Sequence, residues 1–119
     1  MIKRFLAAFA TLMVVVGCGS SSSMEKTMLT ANTIIIDVRT PAEYAEGHVE
    51  GAINLDLESG QFEAELPNLD PALPYIVYCR SGRRSGVAAE IMKSSGFTQV
   101  TDYQTLENAA NNTGLPIIE

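Results

Sequence analysis

Cys79 closes the run "YIVYC" and is followed at once by "RSGRR", so Arg80, Arg83 and Arg84 crowd one thiol in a chain whose net charge is −6. A cysteine attacks as its thiolate, and neighbouring cations, backbone N–H groups and helix N-termini all favour that form. Gly82 lets the backbone turn so that successive N–H groups point into one concavity. A helix expected to begin near Arg84 would add its unpaired donors and the positive end of its dipole. The same features hold an anionic substrate or an anionic sulfur adduct. Arg80, Ser81, Gly82, Arg83 and Arg84 are therefore expected to form an anion cradle around a nucleophilic Cys79. A cysteine ending a buried strand is commonly an inert small hydrophobe; the local charge argues against that here.

Other residues carry weaker signals. Asp37 and Arg39 form the stretch "DVR"; Asp37 reads equally as an acceptor beneath the cysteine loop, taking hydrogen bonds from its backbone or an arginine, and as a member of a structural ion pair. Arg39 reads better as a structural ion-pair partner, with Glu43 as the expected mate. His48 is the single histidine; a loop that already holds a thiolate needs no general base, so a structural role in the "GHVEGA" turn is expected. One histidine and one usable cysteine give no zinc-ligand spacing, so no metal site is expected. Neither a Ser-His-Asp triad nor a C-x-x-C dithiol is legible.

The elements that must position Cys79 follow from patterning. "TIIIDV" (33–38) is a β-branched run without polar alternation, which fits a strand buried on both faces of a parallel sheet. "TPAEYAEG" (40–47) has Thr40 as N-cap, Pro41 at the first helical position and Glu43 two residues on, a capping box, with Gly47 as the stop. "GAINLDL" (51–57) predicts a second strand, and "ESGQFEAELPNL" a helical turn or two. "YIVYC" is the clearest strand. Val87, Ala88, Ile91 and Met92 then recur at helical spacing, and Gly96 ends that helix. "TQVTDY" (98–103) predicts a strand and "TLENAANN" (105–112) a last helix. Strands separated by helices imply an α/β fold built on a parallel sheet of four to five strands with helices on both faces. Ligands bind such sheets beyond the carboxyl ends of the strands, where Asp37 and Cys79 both lie.

A chain of 119 residues has room for one small domain. The acidic balance and the absence of Trp argue against a nucleic-acid partner. Lys3 and Arg4 precede an apolar run from Leu6 to Gly17, the layout of an export signal. The run is shorter than the roughly 20 residues a bilayer span needs. It ends in "VVGC", which resembles the lipobox of bacterial lipoproteins and makes Cys18 the expected lipidated residue. The organisation expected is a signal peptide over 1–17, lipidated Cys18 with a flexible Ser-rich tether over 18–26, and a domain over 27–117. The domain would then sit in the periplasm or cell envelope, held to a bacterial membrane, with Cys79 as its one free thiol.

"IIDVRTPAEYAEGHVEGAINL" followed by "YCRSGRRSGVAAEIMKSSGF" resembles the rhodanese family, especially its exported single-domain thiosulfate sulfurtransferases. The resemblance implies a rhodanese-like fold and transfer of a sulfane sulfur through a persulfide on Cys79. It also implies a small anionic sulfur donor, cyanide or a thiol as acceptor, and no metal or organic cofactor. Related cysteine phosphatases and arsenate reductases carry an arginine six positions after the cysteine. Here position six is Ser85 and the arginine is Arg84, the shorter loop of sulfurtransferases. A non-enzymatic persulfide carrier is the other alternative. Segment 102–112 departs from the family, which often has a glycine pair and a Trp there.

Overall fold

The computed structural model describes residues 30–119; the expected signal peptide, Cys18 and the tether lie outside the described residues. In chain order the elements are β1 (Ile34–Asp37), α1 (Pro41–Glu46), β2 (His48–Val49), β3 (Ile53–Asn54) and α2 (Gln61–Glu65), which runs into a 3-10 turn at Leu66–Asn68. Then come β4 (Tyr75–Cys79), α3 (Arg83–Ser94), β5 (Val100–Thr105), α4 (Leu106–Thr113) and β6 (Ile117–Ile118). Four strands form a parallel sheet in the order β3–β1–β4–β5, and β2 pairs antiparallel with β6 beside it. This is the α/β architecture the patterning predicts.

Strand periodicity divides the core in two. Successive residues of a strand face opposite sides, so Ile36, Val77 and Cys79 pack with Phe62, Ala88 and Met92 on the face covered by α2 and α3. Ile35, Ile76 and Tyr78 face the other way, onto Val49 and Ala109. Cys79 is thereby committed to the side on which α3 begins.

The caps form as their residues dictate. The Thr40 hydroxyl accepts the Glu43 N–H while the Glu43 carboxylate accepts the Thr40 N–H at 3.0 Å, and Gly47 ends α1. Gly96 lies at φ +98° after α3, with its N–H on Lys93 O and that of Phe97 on Met92 O, a Schellman closure.

Four expectations shift. The second strand shrinks to Ile53–Asn54, because Asp56 turns the chain by accepting the Glu58 N–H at 3.0 Å. Helix α3 starts at Arg83, one residue early, and buries Ser85, Ala88, Ala89 and Met92 while Val87 is exposed. The small residues allow close approach to the sheet, and that rotation turns Val87 outward. The last long strand runs Val100–Thr105 rather than 98–103. It carries a bulge: Val77 pairs with Asp102 and Tyr78 with Gln104, which leaves Tyr103 as the extra residue.

Candidate active site

The sulfur of Cys79 sits at the carboxyl end of β4, under the turn formed by Arg80, Ser81 and Gly82. Gly82 takes φ +102° as the N-cap of α3, a conformation that favours glycine, and donates its N–H to Sγ at 3.0 Å. The Ser85 hydroxyl oxygen lies 3.6 Å from Sγ. Burial pushes the Cys79 thiol up, but the Ser85 hydroxyl and the amides of Ser85, Gly82 and Ser81 together outweigh it, so the thiol lies below its ordinary value. The residue is fully buried. A buried sulfur encircled by donors is a poor inert hydrophobe and a good thiolate.

The arginines are disposed differently from the expectation. Arg84 points to α1, where it donates to both carboxylate oxygens of Glu43 at 2.9 and 3.1 Å. Arg80 stands 3.7 Å from the same carboxylate, with its side chain 73% exposed. Arg83 is exposed as well. The guanidinium groups therefore do not converge on the sulfur; backbone amides and one hydroxyl do. Three cations on one short loop repel each other, and Glu43 offers the nearest relief. Arg84 is the main cause that holds the Glu43 carboxyl down to about 2, against burial and with help from the Thr40 N–H.

Asp37 and Arg39 pair with each other, not with the cysteine loop or with Glu43. The Arg39 Nη2 donates to Asp37 Oδ2 at 2.7 Å and to Gly47 O at 2.6 Å, and the Arg39 N–H donates to Asp37 Oδ1 at 2.9 Å. Both are buried, so the pair staples the end of β1 to the end of α1. Asp37 stands opposite Tyr78 in the sheet, one residue from Cys79. His48 stacks on Tyr44 with ring centroids 3.7 Å apart, and its Nδ1 lies 2.9 Å from Tyr44 O, in keeping with a structural role.

Three site residues went unread in the sequence. Ser85 could have been found, since it falls one turn into a helix whose start the glycine marks. Glu43 had already been assigned to its capping box, and its second partner lies 41 positions away. Gln104 left no local signal: the bulge in β5 puts it at φ +76°, rare for a residue with a side chain. Its carbonyl lies 3.4 Å from Ser85 Oγ, and its Cβ would stand 3.2 Å from a Cβ placed on Gly82. Within segment 102–112, Gln104 thus backs the cysteine loop. A cleft of about 380 Å³ opens beside the loop, walled by Arg39, Glu43, Glu46, Arg80, Leu106 and Glu107.

Residues 20–105 match the rhodanese-like domain family. The chain is 39% identical over 75 residues to the thiosulfate sulfurtransferase PspE of Escherichia coli, a match covering 63% of this chain and 72% of that protein. It is 32% identical over 83 residues to the thiosulfate:glutathione sulfurtransferase of Saccharomyces cerevisiae, covering 60% of each. Among solved structures, a rhodanese with anions from E. coli superimposes with a TM-score of 0.60 at 35% identity, over 73% of this chain and 98% of that one.

Proposed function

We propose, from the premise that this chain belongs to the rhodanese-like family and so among the sulfurtransferases, that it carries a sulfane sulfur on Cys79. The donor is thiosulfate or a related small anion, and the acceptor is cyanide or a thiol. The Cys79 thiolate attacks the outer sulfur of thiosulfate. The sulfur–sulfur bond breaks, its electron pair leaves with sulfite, and the enzyme holds a persulfide anion. The acceptor then attacks that outer sulfur, and the electron pair of the breaking bond returns to Cys79 as thiolate. Atoms and electrons balance without a metal or organic cofactor, in a ping-pong sequence.

The observation that carries this reading is the Gly82 N–H on Sγ at 3.0 Å, with the Ser81 and Ser85 amides beside it. Those donors favour the attacking thiolate and receive the negative charge again on the persulfide. Arg80, exposed on the wall of the cleft, and Arg83, exposed on α3, would meet an incoming anion; Arg84 would act from its pair with Glu43. The reading is tested by intact-mass measurement after incubation with thiosulfate. One added sulfur is expected, lost again on adding cyanide and absent from Cys79→Ser. An unchanged native mass, or an unchanged gain in Cys79→Ser, would refute it.

We further propose that residues 1–17 are a lipoprotein signal peptide and that lipidated Cys18 tethers the domain to a bacterial membrane, in the periplasm or cell envelope. Cys18→Ala should move the protein from the membrane fraction to the soluble one; retention in membranes would contradict the anchor.

A further inference from the structure

The Glu43 carboxylate serves two structures at once. It closes the capping box of α1 through Thr40, and it binds both cationic ends of the cysteine loop. Arg80 is the residue after Cys79, and Arg84 lies in the first turn of α3. The three residues between them include Ser81 and Gly82, two of the three whose amides surround the sulfur. A bidentate carboxylate–guanidinium pair fixes direction as well as distance. Here it is largely shielded, with side-chain exposures of 13% for Arg84 and 17% for Glu43.

We propose that Glu43 is a positioning residue for sulfur transfer: its carboxylate clamps the cysteine loop to α1 through Arg84 and Arg80, and so keeps the loop amides aimed at Sγ. The inference rests on the sulfurtransferase reading for its purpose, but its test does not need sulfur to move. Other charged groups near the loop are Arg83 on α3, Asp102 on β5, Glu58, which acts electrostatically on Arg84, Glu46 on α1 and Glu107 on α4, which share the cleft with Arg80, and the Asp37–Arg39 pair at the end of β1. None of these forms an ion pair with the loop arginines among the described residues.

Clamping and simple charge make opposite predictions. Acting through space alone, the carboxylate disfavours a nearby thiolate, so Glu43→Gln would lower the pH at which Cys79 becomes reactive. Acting as a clamp, its loss lets the amides drift, and that pH rises.

The experiment is the pH dependence of Cys79 alkylation by iodoacetamide in the full chain, read at Cys79 by peptide mass. Glu43→Gln should raise the midpoint by about one unit, a roughly tenfold slower reaction well below it. Arg84→Lys keeps the charge but loses the two-pronged geometry. It should raise the midpoint too, which keeps the test decisive if Glu43→Gln does not fold. A midpoint that falls or stays put in Glu43→Gln, or stays put in Arg84→Lys, would overturn the clamp. Failure of native protein to gain sulfur from thiosulfate would instead strike the sulfurtransferase reading and leave these midpoints untouched.

Discussion

Ser85 is the residue whose removal isolates one donor. Its hydroxyl can turn to Sγ, to Gly82 O at 3.3 Å or to Gln104 O at 3.4 Å, so it has a resting partner and a partner for the charged state. Hydrogen bonds to charged groups contribute about 1.5–3 kcal/mol, so Ser85→Ala should raise the Cys79 thiol by about one unit. Slower alkylation at neutral pH, with the melting temperature little changed, is the expected readout. Glu43 gives a second residue-level prediction. Its folded carboxyl is lowered from 4.5 to about 2. Its stabilisation is therefore complete above the unfolded value and lost as pH falls toward 2. Acid unfolding followed by circular dichroism should lose part of its pH dependence in Glu43→Gln. The sequence made Cys79 legible through its neighbours' charge, yet that charge was misread. The amides that bear on the sulfur have no side-chain signature, and the arginines that drew attention turn outward or to Glu43.

Two glycines at positive φ separate backbone strain from site geometry at the scale of the element. Gly96 closes α3 with open space where a Cβ would go, so Gly96→Ala should cost about 1 kcal/mol of stability and leave chemistry alone. Gly82 has a similar φ, but an added Cβ would press on Gln104 at 3.2 Å. Gly82→Ala should shift the loop and reduce sulfur transfer on the order of a hundredfold, measured as turnover beside unfolding curves. Elements with local signals were readable: the Thr40 capping box, the β-branched β1 and the strand ending in Cys79. Those set by tertiary pairing were not. The β2–β6 pair joins two-residue segments from distant parts of the chain, His48 to Ile118, and no local pattern marks it. The bulge in β5 exists because Gln104, not Tyr103, meets Tyr78.

The whole molecule works as a parallel sheet that brings the carboxyl end of β4 to a helix start, with β1 and β5 on either side. The α/β class followed from alternating strand and helix patterns, because burial of both sheet faces leaves its mark along each strand. What the sheet delivers is a wholly buried sulfur, held by amides that only a fixed backbone can aim. The central claim is that this arrangement holds the Cys79 thiol below its ordinary value and so favours the thiolate. Direct titration of the thiolate by its ultraviolet absorbance, with Cys79→Ser as the blank, tests it in one measurement. The account predicts a midpoint clearly below the roughly 8.5 of a free cysteine. A midpoint at or above that value would contradict it.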